Sequence, residues 1–229
     1  MPMRIPAAFL LLAIAFAPAA AQPSGGPLSA TIEALRRDFP ADHAALVAGL
    51  ADKTPDQARR VSYAGIDRFL RAHRDAILAA PGPALVALEA RQGALLRTLG
   101  KQDVRLCATV GDRGLFSEEA LAGPPPAGLD EFGAALVQAA KAGAGVAPAP
   151  PNAFARSDSL AFLAMVEKIE PAIPFREMLS DRARRASSSP DQLCRGAAAM
   201  HEAAASLPDG QGQRMSRTML GLSIGSPAE

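Results

Sequence analysis

Two cysteines and three histidines carry most of the chemistry open to this 229-residue chain. A thiolate acts as a nucleophile only with a base in hydrogen-bond reach. Cys194 and His201 fall on one face of a helical stretch, seven residues apart. Two turns separate them by about 10.5 Å along the axis, too far for a nucleophile–base pair. The other natural partner for each thiol is the second thiol. In an exported chain an isolated pair reads as a disulfide rather than a metal site, and Cys107–Cys194 is the expected bridge. Closing so long a loop is worth about 4–5 kcal/mol in the chain-entropy picture, and native strain lowers that figure.

His201-Glu202-Ala203-Ala204-Ala205 carries two-thirds of a zinc-protease helix. That chemistry needs a second imidazole one turn on, but position 205 is alanine, so no metal site is expected. His73 lies between Phe69, Leu70 and Ile77 on an apolar stripe. It either projects into the bundle interior as a ligand or base, or sits at a helix–helix contact with one hydrogen bond; the second reading is simpler. His73 and His201 are thus the two candidate ligand-facing residues, while His43 is expected at the surface. Either candidate could in principle pair with Met165, Met178 or Met200 around a haem, yet those methionines fall at core spacing. The absence of Cys-x-x-Cys-His excludes covalent c-type attachment. No cofactor is implied.

Other motifs match in letters but not in context. Gly221-Leu222-Ser223-Ile224-Gly225 spells a nucleophile elbow, which requires a preceding strand and a later histidine; neither is present. Gly210-x-Gly212 lacks a third glycine, since position 215 is Met, and so is no dinucleotide fingerprint. Glu118–Glu119 and Glu167/Glu170 are carboxylate pairs, but acid–base work needs a cleft around them. Arg214 and Arg217 could hold an anion, although a solvated face is the plainer reading. Arg176, Arg182, Arg184 and Arg185 form the densest basic patch and are expected to pair with surface acids.

The N-terminus supplies the export signal on which the disulfide argument depends. Arg4, the apolar run Ala7 to Ala17 and Ala19-Ala20-Ala21 follow the order of a signal peptide over residues 1–21. The mature chain would begin at Gln22, with 22–27 as a flexible lead-in, and loss of Arg4 leaves it formally neutral. The whole chain carries only +1, which argues against a nucleic-acid-binding face. Beyond the N-terminus no apolar run is long enough to span a bilayer.

The elements that must position these residues are helices. Period-2 alternation is absent, and apolar residues recur at helical spacing. Thr54-Pro55-Asp56-Gln57 and Ser189-Pro190-Asp191-Gln192 both read as capping boxes with proline at the first helical position. They open helices of about 55–79 and 190–206. Further helices are expected over 28–38, 40–52, 84–99 with Gly100 as its cap, 102–109, 129–142, 159–169, 174–185 and 213–221. Leu160 to Val166 is apolar all round, predicting a central buried helix capped by Ser157 or Asp158. Gly111 to Phe116 reads as a loop. The expectation is an all-α, irregular bundle of about seven to nine helices with one disulfide. It forms a single domain over 28–221 with a flexible tail at 222–229, because the bridge spans both proline-rich breaks, 123–128 and 143–156.

With no catalytic constellation intact, the functional expectation is a secreted or periplasmic protein that acts by binding, as an accessory, inhibitor-like or interaction domain without catalysis. Its partner would be an unidentified envelope or extracellular protein, not a nucleic acid. The alternatives are a carrier holding a lipid or haem-like molecule between helices, and a cell-wall hydrolase.

Overall fold

The computed structural model describes residues 28–114, 126–147 and 155–224, so the expected signal peptide, the lead-in and the last five residues of the tail lie outside them. The protein is all-α, with twelve helices and no strand among the described residues. They are α1 (Ser29–Asp38), α2 (Pro40–Leu50), α3 (Pro55–Ala72), α4 (Arg74–Ala79), α5 (Gly82–Gln102) and α6 (Val104–Arg113). After the first undescribed stretch come α7 (Leu129–Gly143), α8 (Arg156–Ile169), α9 (Phe175–Ser180), α10 (Arg182–Ala186), α11 (Pro190–Ser206) and α12 (Asp209–Ser223). The ten helical ranges expected from the sequence, more than the seven to nine of the overall expectation, become twelve because two of them break. Asp181 interrupts 174–185 by accepting from the backbone of Ala183 and Arg184 at 2.8 and 3.2 Å, which starts α10 afresh. The 55–79 helix breaks at His73, which closes α3 and opens α4.

Both capping boxes form. Gln57 N donates to Thr54 Oγ1 at 3.4 Å and Thr54 N to Gln57 Oε1 at 3.1 Å; the Ser189/Gln192 pair repeats this at 3.2 and 3.0 Å. The first turn of α1 is capped from outside. The carboxylate of Asp130, on α7, accepts from Ala30 N and Thr31 N at 2.8 Å each and from Thr31 Oγ1 at 2.9 Å. Gly133 lets α1 come this close, because a Cβ there would lie 2.4 Å from Thr31 Oγ1. Asp130→Ala should therefore cost about 1–2 kcal/mol, read as a lower urea midpoint with an unchanged slope.

Two long helices organise the core. Leu85, Leu88 and Leu95 of α5 pack with Leu35, Ile66, Phe69, Phe132 and Leu136 from α1, α3 and α7. Its later residues Leu96 and Leu99 pack with Cys107 and Val110 of α6 and Cys194 and Ala198 of α11. Further along α11, Ala199, Ala203 and Ala204 meet Phe162, Val166, Phe175 and Met215. The alanines let α11 approach α5 closely: a Cβ on Gly93 would sit 2.8 Å from Glu202 Cγ and 3.3 Å from the Ala198 carbonyl. α4 and α7 come closer still, since a Cβ on Gly143 would lie 1.9 Å from the Ala76 carbonyl oxygen.

Four local expectations are corrected. Gly100 does not end its helix; α5 continues to Gln102, and Asp103 caps α6 through Arg105 N and Leu106 N. α6 runs to Arg113, so the expected loop begins later. α8 is not buried all round: Leu160 is half exposed, and the helix starts from Ala155 while Asp158 turns to Arg214. α12 extends to Ser223, placing Leu222 and Ser223 in a helix rather than a loose tail.

Candidate functional site

The α5–α11 seam gathers the sulfur and imidazole chemistry into one place. Cys194 and His201 share a face of α11, as their spacing requires, and that face meets α5. The sulfurs of Cys107 and Cys194 are 2.08 Å apart, bonding distance, with no free cysteine among the described residues. Both are buried. Gly100 makes the room, because a Cβ there would lie 2.6 Å from Cys194 Sγ. That is why a residue suited to ending a helix sits inside one. Gly100→Ala should thus destabilise the oxidised protein by about 1–3 kcal/mol through overpacking, despite alanine's better helix propensity. In a Cys107→Ala/Cys194→Ala background the same change should cost much less, and paired thermal melts of the four proteins measure the difference.

Seven residues along α11, His201 Nδ1 lies 2.6 Å from Oε2 of Glu89, across a sequence separation of 112. Glu89 is fully buried and His201 is 6% exposed. Burial holds the Glu89 carboxyl above its ordinary value, against the opposing pull of His201. Glu89 Oε1 finds no partner, and the same holds for the buried Gln92 Oε1 one turn on and for Ser216 Oγ on α12. Carboxylate-to-Nδ1 contact is the orienting half of a hydrolytic triad. Here, however, the pair faces the helix seam, and Glu89 has no solvent exposure among the described residues. Its evident work is to tie α5 to α11.

A second charged cluster closes the outer side of that seam. Arg97 of α5 donates from Nε and Nη2 to Glu202 of α11 at 2.9 and 2.8 Å, and from Nη1 to Glu170 at the end of α8. Arg195 donates to the other oxygen of Glu170. These hydrogen bonds, that of Arg195 foremost, hold the Glu170 carboxyl below the usual range. Glu170 therefore contributes stability at neutral pH that is lost as pH falls through its folded-state value. Glu167 takes a different partner, Arg176, at 2.6 Å, so the Glu167/Glu170 pair does not converge on one site.

Other singled-out residues are also engaged. His73 Nε2 lies 3.0 Å from Asp42 Oδ2, and its ring rests against Phe39 and Phe69 with centroids 4.6 and 4.4 Å away. His43, expected at the surface, is half-buried. Arg214 grips the buried Asp158 with two bonds of 2.7 and 2.8 Å, and Arg217 Nε donates to the Leu78 carbonyl at 2.7 Å. Arg176, Arg184 and Arg185 pair with Glu167, Glu177 and Asp112. Met178 is buried in the α8–α9–α12 core, with Met165 and Met200 packed against it. No group of three or more metal-ligating side chains exists among the described residues. Glu118–Glu119 and Gly225 lie outside those residues.

Two surface concavities are lined by described residues. An open groove of about 320 Å³ runs along the α8–α9 corner, lined by Pro171, Ile173, Pro174 and Phe175 with Glu167 and Arg176 beside them. A more enclosed space of about 90 Å³ lies between α2 and α3.

No protein-family model, curated protein or solved structure matches this chain. Its function must be argued from its own residues. Glu89 was missed in the sequence, although the signal was there: it falls four residues after Leu85 and seven before Leu96, on the stripe that the leucines mark as buried.

Proposed function

We propose that this chain is an exported accessory protein, secreted or periplasmic, that binds another protein of the envelope or extracellular space. The observation that carries the reading is the bonded, buried Cys107–Cys194 pair. Such a bond persists in oxidising compartments and is rare where thiols are kept reduced. It agrees with residues 1–21 as an export signal, and no helix among the described residues is long and apolar enough to cross a membrane.

The surface, more than the interior, offers contact. The α8–α9 corner carries an open groove edged by the accessible Pro171 and Pro174, and Leu179 on α9 is half exposed. A proline-edged depression, with an exposed leucine on the same short helix that supplies part of its wall, suits the apolar centre of a modest protein interface.

The test is affinity capture with immobilised oxidised protein, using envelope and culture-fluid extracts of the source cells. A protein retained by the native surface and lost with Leu179→Asp supports the reading. Retention of a lipid or chromophore without any protein transfers it to the carrier alternative. Recovery of the endogenous chain in the cytosol with free thiols removes the export premise.

A further inference from the structure

We propose that the enclosed space between α2 and α3 is a binding site for a small zwitterion, an α-amino acid with a short aliphatic side chain. The proposal stands apart from the partner-binding reading and uses a different face of the molecule.

The site is built as follows. Leu35, Leu46, Val61 and Phe69 form apolar walls, and Gly49 and Gly65 line the same space. α2 and α3 are close here, because a Cβ on Gly65 would lie 2.7 Å from Leu46 Cδ1 and one on Gly49 would lie 3.1 Å from Val61 Cγ1. Two opposite charges, Asp42 and Arg68, border this space, yet no ion pair joins them. Among the described residues Arg68 has no ion-pair partner at all. That sets it apart from Arg71, three residues on, which holds Asp67 at 2.9 Å. Asp42 is held on one side, with Oδ2 meeting His73 Nε2 at 3.0 Å, and no described group engages Oδ1. His73 is itself packed in a three-ring cluster with Phe39 and Phe69, so the carboxylate has a positioned neighbour before any ligand arrives.

Opposite charges that share a small apolar-walled space without meeting are matched by a ligand carrying both complements. An ammonium faces Asp42, a carboxylate faces Arg68 in the forked geometry that guanidinium favours, and a short side chain enters among the aliphatic walls. The volume of about 90 Å³ sets the size. It is somewhat below the ~150 Å³ of a cavity that accepts benzene, so a side chain of one to three carbons fits and an aromatic one does not.

The experiment is a titration of the ¹⁵N-labelled oxidised protein with L-alanine, L-valine, L-phenylalanine, propionate and propylamine, following the Gly49 and Gly65 amides. Saturable shifts are expected with alanine or valine, at least about tenfold tighter than with propionate or propylamine. Arg68→Gln lies at an exposed position, and should leave the melting midpoint unchanged while weakening amino-acid binding about tenfold or more. Absence of saturation up to about 50 mM, a dissociation constant too weak to mean recognition, overturns the proposal. So does equal binding of propionate, tighter binding of phenylalanine, or an Arg68→Gln protein that binds like the parent.

Discussion

His201→Ala is expected to lower stability by about 3–5 kcal/mol, the largest effect of any single substitution considered for this protein. The reason is what remains. Glu89 has no solvent exposure, and one of its oxygens already lacks a partner. Removing the imidazole at 2.6 Å leaves a carboxylate that must either stay charged without compensation or take up a proton. Glu89→Leu with His201→Leu removes both polar groups together and fills similar volume. That double variant should recover most of the loss, since apolar side chains of similar volume often replace a buried acid–base pair at no net cost. Urea unfolding of the parent, both single variants and the double variant gives the coupling directly. Near-equal losses in the double and single variants would show that packing, not charge, explains the effect.

The same pair predicts a pH dependence with a definite sign. Burial holds the folded-state Glu89 value above that of the unfolded chain. The folded protein thus binds that proton more tightly, so this group's contribution is full at low pH and is lost as pH rises through the folded value. In His201→Ala the opposing pull of the imidazole is gone, and the decline with rising pH should steepen. Glu89→Gln should flatten it. Glu170 contributes a loss in the opposite direction, on acidification, because its two arginines hold it below the ordinary range. Melts across a pH series in all three proteins separate the two contributions, and a Glu89→Gln profile that superimposes on the parent would refute the assignment to Glu89.

Removing the bridge is the second large effect. Cys107→Ala/Cys194→Ala is expected to cost about 2–5 kcal/mol, from loss of a constraint on the unfolded chain across a separation of 87 residues. Alanine at each position is preferable to serine, since a hydroxyl enclosed at these sites would add its own penalty. Both sulfurs are enclosed in the α5–α6–α11 core, so a reductant reaches them only when the seam opens. Under native conditions reduction should therefore be slow and should accelerate in the His201→Ala protein, whose seam is weakened. Mass-spectrometric thiol labelling after timed exposure to dithiothreitol reads this. Equally fast reduction with and without denaturant would mean that the bond is accessible in the folded state.

The corner groove and the α2–α3 space are lined by residues outside the α5–α11 seam. The seam and the two proposed contact surfaces are thus separate, and the substitutions above report on stability without touching either surface.

How much of this was legible beforehand divides by the range of the interaction. The helix starts at Pro55 and Pro190 were readable because a capping box is complete within four residues, and no distant group is needed to form it. The helical class was readable from apolar spacing, and the bridge from having just two thiols to join. Asp130 capping α1, Glu89 meeting His201 and Glu170 held between Arg97 and Arg195 were not readable, since each joins groups tens of residues or more apart. Gly100 shows the same division at one position. Local propensity marks it as a helix end, yet the helix continues, because the lost Cβ is what admits the sulfur of Cys194. Backbone capping is decided by neighbours along the chain; burial, ion pairing and close approach are decided by which helices the packed core brings face to face.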